Sequence, residues 1–240
     1  MQWQDDGIII GVKRHGEGSV ILELMTKAHG RHLGLVRGGR SPRQQATLQA
    51  GNRVDAVWRA RIEEQLGTYA VEAVKLNTAR FLGAPAALYG LASAAALLRL
   101  LPERDPHPGL FEALGVLVDH LDDARIAPAL LVRFELEMLA ELGFGLDLGA
   151  CAATGTTSEL VYVSPKSGRA VSAVAGAPYH ERLLALPGFL REDRSRDHPT
   201  NAEVVAGFTL TGYFLRRHVF APRSIAWPEA RDLFVAQLKD

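Results

Sequence analysis

NRVDAVWRAR (52–61) is the stretch on which the fold turns. It alternates strictly, with Val54, Ala56, Trp58 and Ala60 on one side and Arg53, Asp55, Arg59 and Arg61 on the other. A period of two with one apolar side is the pattern of a strand laid over a core, its other face in water. Outward from it lie further short runs of the same kind. GIIIGVKR (7–14) leads into the turn His15-Gly16-Glu17-Gly18, and SVILELMT (19–26) ends at His29-Gly30. RHLGLVRG (31–38) precedes Gly38-Gly39 and Ser41-Pro42, and LGTYAVEAVKLN (66–77) closes the set. Five short strands at spacings near a dozen residues predict a small antiparallel barrel. The strand count alone fits an OB-like barrel and an SH3-like one equally.

From residue 84 the period becomes helical. Pro85 suits a first helical position, and a helix is expected from there to Leu101-Pro102. HPGLFEALGVLVDHLDD (107–123) lines up Phe111, Leu114, Val118 and Leu121, and PALLVRFELEMLAELG (128–143) lines up Leu130, Phe134, Met138 and Leu142. Residues 149–178 turn Gly-, Ser-, Thr- and Ala-rich, with one expected strand, ELVYVS (159–164). Thr200-Asn201-Ala202-Glu203 reads as a capping box that opens a helix running through Val219, and a short helix from Pro228 to about Leu238 follows. The uncharged stretch FLGAPAALYGLASAAALL (81–98) is dominated by Ala and Gly and runs into Arg99, so it predicts a buried core helix rather than a membrane span.

Composition is that of a globular chain: 240 residues, 48% apolar and 22% charged. The single cysteine, Cys151, excludes a disulfide framework and an all-cysteine zinc site, and a reducing cytoplasm is the expected setting. The opening MQWQDDGIII has no basic segment and no apolar stretch of a signal peptide's length, so no signal peptide is expected. Net charge is zero, yet residues 1–80 hold 12 Lys+Arg against 8 Asp+Glu, a net of +4, while the rest carries −4. Between Glu23 and Asp55 there is no acid at all, but Lys27, Arg31, Arg37, Arg40, Arg43 and Arg53 all fall there. Guanidinium forks suit phosphate, and uncompensated arginines on one barrel face release counterions from a nucleic-acid backbone. Aromatic support looks thin: Trp3, Trp58 and Tyr69 are scattered, and Trp58 is expected in the core.

No catalytic constellation stands out. His15, His29 and His32 cluster on turns, without metal-ligand spacing or a fourth donor. Ser164, Ser167 and Ser172 lack the context of a nucleophile elbow. Asp122-Asp123 and Glu192-Asp193 are adjacent rather than facing carboxylates, and Gly38-Gly39 and Gly155-Thr156-Thr157 do not fit a phosphate-loop frame.

Taken in order, six segments resemble the RecO family of recombination mediators in its alphaproteobacterial form: DDGIIIGVKRHGEGSVILELMTKAHGRHLGLVRGGRS (5–41), RVDAVWRARIEEQLG (53–67), LLPERDPHPGLFEAL (100–114), VRFELEMLAELGFGLDL (132–148), ELVYVSPKSGRAVS (159–172) and LRRHVFAPRSIAWPEAR (215–231). The resemblance implies an α+β chain. An OB-fold at 1–80 would bind nucleic acid, and helical segments at 81–148 and 179–240 would flank a small zinc-ribbon-like module at 149–178. It implies a non-catalytic DNA-repair protein that binds single- and double-stranded DNA and anneals complementary strands. Such a protein helps load RecA onto DNA coated by single-strand-binding protein. RecR and the acidic C-terminal tail of the coating protein would be its partners, with no membrane and no cofactor. Many members hold zinc with two Cys-x2-Cys pairs. Here only Cys151 remains, and the second pair most plausibly reads Ser172-Ala173-Val174-Ala175, so no zinc is expected. Leu160, Tyr162 and Val171 would then hold the module by packing.

Expected phosphate ligands are Lys13, Arg14, Lys27, Arg31, Arg37, Arg40, Arg43, Arg53, Arg59 and Arg61. Arg133 resembles the cation that receives the acidic tail, unless it pairs with Glu137 one turn on. Two other classes remain open: an adaptor whose barrel docks a protein such as RecR, and a metal-dependent enzyme acting on nucleic acid.

Overall fold

The alternation of 52–61 becomes strand β4 (Arg53–Arg59), with Val54, Ala56 and Trp58 buried and Arg59 in water. In the computed structural model, which describes residues 1–191 and 199–239, it joins β1 (Gln2–His15), β2 (Ser19–Thr26), β3 (Gly30–Val36) and β5 (Thr68–Lys75). The five close into a barrel in the order β1-β2-β3-β5-β4, which resolves the sequence ambiguity in favour of the OB-like topology. β1 serves two partners, pairing Gln2–Ile8 with β4 and Gly7–His15 with β2. A register shift between Ile9 and Gly11 bends it between them, as a bulge does. Ile9, Leu22, Leu24, Val36, Leu48, Val54, Ala56, Trp58 and Tyr69 fill the interior. Gly34 is glycine for a steric reason: a Cβ there would run into the Tyr69 ring.

β1 begins five residues before the expected strand. Its polar opening Gln2–Asp6 hides the strand from a hydrophobicity reading, but both acids are used. Asp5 accepts from the Ala28 N–H at 2.7 Å, and Asp6 holds Arg53 through Nε at 2.8 Å.

Two compact units are present, Met1–Asp122 and Asp123–Asp240. The first therefore reaches beyond the barrel, whose boundary was expected near residue 80. It takes in the short helices α1 (Pro42–Gln45) and α2 (Thr78–Phe81), then α3 (Pro85–Leu98) and α4 (Pro108–His120). Both long helices start at proline, where the missing N–H costs nothing. Along α3, Ala87, Leu91, Ala94, Ala95, Leu97 and Leu98 are buried, so the uncharged stretch is core; no described helix is long and apolar enough to cross a membrane. Phe111, Leu114 and Val118 of α4 are buried, as is Leu121 just past its end, while Lys27–Glu112 (3.0 Å) and Lys75–Asp119 (2.7 Å) tie its polar face to the barrel.

In the second unit α5 (Ala127–Glu141) packs against α7 (Asn201–Phe214). Thr200 and Glu203 form the expected capping box, and α7 continues as a π-helical turn, Leu215–Phe220, before α8 (Glu229–Ala236). Between α5 and α7 lies a three-stranded sheet in the order β7-β6-β8: β6 (Leu160–Val163), β7 (Ala170–Ser172) and β8 (Leu184–Ala185), with α6 (Ala173–Gly176) after β7. Only β6 of these strands is visible in the sequence. Leu160 and Val171 are buried there and Tyr162 is half-buried. Glu192 and Asp193 lie outside the described residues.

Candidate nucleic-acid interface

The barrel sorts the ten expected phosphate ligands into three sets. Arg31 is largely buried: Nη1 donates to Glu23 at 2.9 Å, Nε to the Leu101 carbonyl at 3.3 Å, and Nη2 lies 3.6 Å from Glu103. Arg53 is clamped by Asp6, and Lys27 by Glu112. The acid-free window of the sequence is thus not acid-free in space. Glu23, Asp6, Glu103 and Glu112 reach these three cations from outside it. Lys27–Glu112 is exposed and worth about 0–1 kcal/mol, so that lysine exchanges partners readily; Arg31 does not.

A second set gathers at the β1–β2 turn. Lys13 and Arg14 end β1, and Arg37 follows Val36, which is paired with Val20. Arg40 closes on the same turn, its N–H donating to the Gly18 carbonyl at 3.2 Å and its Nη1 to the Glu17 carbonyl at 2.6 Å. Arg43 lies on α1, in the exposed segment that continues from Arg40. Among the described residues none of these five cations meets a carboxylate, and all five are exposed. The third set is Arg59, which donates to the Gln2 side chain at 2.8 Å, and exposed Arg61 on the β4–β5 connection. Neither is paired with an acid among the described residues.

Beside that third set the barrel assembles what the sequence reading missed. Trp3, on the polar opening of β1, stacks on His29 (ring centroids 4.0 Å apart, planes 9° apart) and on Trp58 (5.6 Å, 18°). His32 and Tyr69 meet Trp3 edge-on at 5.0 and 5.9 Å. The rings come from four strands and a turn, so no local sequence signal announces them. All but Tyr69 line a cavity of about 350 Å³, with Met1, Gln2, Glu63, Arg104 and Pro106. Arg104 adopts a left-handed backbone (φ 64°), a conformation costly for a side-chain-bearing residue and held here by the Arg104 N–H on the Arg31 carbonyl at 2.8 Å. Its guanidinium donates to the carbonyls of Glu63 and Gln65, and among the described residues no carboxylate neutralises it.

In the second unit Arg133 is exposed on α5 and donates Nη2 to the Phe189 carbonyl at 2.8 Å, not to Glu137. The Ser172 N–H donates to the Cys151 sulfur at 3.2 Å. Hydrogen bonds from Ser172 and Thr154 hold the thiol down, to about 6. No group of three His, Cys, Asp or Glu residues suited to a metal occurs among the described residues. Beneath the surface Glu135 of α5 and Arg231 of α8 form a buried pair, with Nε–Oε1 at 2.7 Å and Nη2–Oε2 at 2.9 Å.

Comparison with known proteins decides the family. The model described as "Recombination protein O N terminal" matches residues 1–77, and "Recombination protein O C terminal" matches 84–224. The chain belongs to the RecO family. It is 65% identical to the DNA repair protein RecO of Methylobacterium nodulans over 239 residues, covering 98% of this chain and 97% of that one. Identity is 60% to the protein of the same name from Methylorubrum extorquens, covering 98% of each, and 59% to that of Mesorhizobium japonicum, covering 100% and 94%. The RecO N-terminal match coincides with the barrel, which carries every cation set and the ring cluster.

At the heart of that RecO barrel His32 is buried, with Nδ1 3.0 Å from the Tyr69 hydroxyl. Burial, aided by the Arg104 charge, pulls it from 6.5 down to about 4; burial likewise pushes the Tyr69 hydroxyl well up. Between these pH values the unfolded chain takes a proton that the folded chain refuses. The stabilising contribution is therefore complete above pH 6.5 and is lost as pH falls toward 4. Urea unfolding across this window should show a slope of up to about 1.4 kcal/mol per pH unit that His32→Phe removes. Identical slopes in the two proteins would contradict it.

Proposed function

We propose that this chain is a DNA-binding recombination mediator acting in DNA repair, as the names of its relatives suggest, and that it works by association rather than by making or breaking bonds. The observation that carries this reading is that Lys13, Arg14, Arg37, Arg40 and Arg43 of an OB-like barrel domain are all exposed and, among the described residues, without carboxylate partners. Arg59 and Arg61 extend the set. Cations so placed replace the counterions of single- or double-stranded DNA. Two complementary strands whose charge is screened in this way approach and pair without an energy source.

On the same reading the protein assists RecA loading on DNA coated by single-strand-binding protein, in the cytoplasm and at the nucleoid. RecR and the coating protein's acidic tail are its partners, and exposed Arg133 receives the tail's carboxylates. Residues 149–178 are read as a zinc ribbon that has lost its metal and survives on packing and the Cys151–Ser172 contact. The adaptor alternative drew its support from a barrel poor in aromatics, and the convergence of Trp3, His29, Trp58 and Tyr69 weakens that support.

Annealing of two labelled complementary strands, followed by energy transfer without nucleotide or divalent metal, tests the proposal. Pairing should be faster with protein than without, and the advantage should fade as salt rises. No acceleration at low salt overturns it.

A further inference from the structure

The three stacked rings form a column that runs from core to surface. Trp58 is 1% exposed, Trp3 is half-buried, and the His29 side chain is 34% exposed. The outermost ring is held in place. His29 Nδ1 lies 2.9 Å from Asp5 Oδ2, and an ionised carboxylate only accepts, so Nδ1 carries the proton and the imidazole cannot turn freely. Asp5 is fixed in turn by the N–H groups of Ala28 and Asp6. A flat ring pinned parallel to its neighbour at the border of an open cavity is pre-organised to take one more flat ring. The cavity, about 350 Å³, is at the small end of the range proteins use for organic ligands, roughly 300–1,000 Å³. On its wall Arg104 presents a positive charge that, among the described residues, is held by backbone carbonyls alone. A flat ring that arrives with an anionic linker matches both features.

We infer that one unpaired nucleobase of a single strand stacks on His29, extending the Trp58–Trp3–His29 column, with its flanking phosphate beside Arg104. The inference rests on the DNA-binding reading above and adds to it a base-contacting subsite. A duplex base has both faces occupied, so the subsite favours single strands. Base stacking on an aromatic platform is worth about 1–3 kcal/mol, roughly five- to 150-fold in affinity.

The test compares a thymine oligonucleotide of about 16 nucleotides with an abasic strand of the same length and charge, each titrated into the full chain. The wild type should prefer the thymine strand at least about fivefold. In His29→Ala this ratio should fall to about one, and in His29→Phe, which keeps a ring at the position, it should persist. Equal binding of the two strands by the wild type overturns the subsite while leaving the phosphate reading intact. A preference that survives His29→Ala overturns it as well. Binding of neither strand at low salt overturns the DNA reading and the subsite with it.

Discussion

Replacing Glu135 with alanine should destabilise the second unit by about 3–5 kcal/mol, because it strands a buried charge. Arg231 is 5% exposed and Glu135 is inaccessible. Besides the paired contacts, Arg231 Nη2 donates to the Phe208 carbonyl at 2.7 Å, and its guanidinium lies over the Phe208 and Trp227 rings at 5.1 and 5.0 Å. The Thr211 hydroxyl donates to the same carboxylate. Removal of the acid leaves a buried cation among apolar rings with the Phe208 carbonyl as its remaining acceptor, while the Thr211 hydroxyl falls back on the Gly207 carbonyl at 3.1 Å. In a thermal melt the fall should be on the order of 10 °C. The double variant Glu135→Met with Arg231→Met removes both charges and should recover most of the loss, since an apolar pair of similar volume often matches a buried ion pair. A single variant as stable as the parent would refute this view of the α5–α8 contact.

Changing Arg37, Arg40 and Arg43 together to alanine should cut affinity for single-stranded DNA about a hundredfold near 0.1 M salt. Each phosphate contact contributes about 0.7 to the dependence of log K on log salt for single strands, so three contacts contribute about 2. If the non-electrostatic part, read near 1 M salt, is unchanged, one decade less salt turns that slope into two decades of affinity. The loss should be similar for every sequence, as expected of contacts to the backbone alone. Substitution of Arg31 is a poor substitute for this experiment, because it breaks the link to Glu23 and Glu103 and confounds binding with stability. Fluorescence anisotropy at several salt concentrations provides the slope. An unchanged slope would take these three residues off the phosphates.

Much of the barrel is legible in the chain because its strands obey one rule, alternation over a core. Val54, Ala56 and Trp58 are buried as their spacing requires, and β2 occupies the residues expected of it. What was hidden follows from chemistry that alternation ignores. Gln2–Asp6 looks like a polar lead-in, yet Asp5 and Asp6 satisfy an N–H and an arginine contributed by later segments, so this stretch is strand and brings Trp3 into the ring column. Along α5 the stripe read from the sequence holds at Phe134 and Met138, but Leu130 and Leu142 are only half-buried and the buried face also includes Leu131, Val132, Leu139 and the charged Glu135. An acid reads as surface until the arginine 96 positions later that neutralises it is known. The cation window misleads in the same way: it stops at Glu23, yet the β2–β3 hairpin lays that acid on Arg31, and Glu103, which follows α3, reaches the same arginine. Spatial grouping leaves a smaller and cleaner set than the sequence proposed.

On the proposed function, this chain itself grips single-stranded DNA through phosphate contacts. The measurement that meets it most directly is anisotropy of a labelled single-stranded oligonucleotide titrated with the full chain from low to high salt. Tight binding at low salt is expected, with a linear, steeply negative dependence of log K on log salt. Absence of binding at low salt, or binding indifferent to salt, would contradict it.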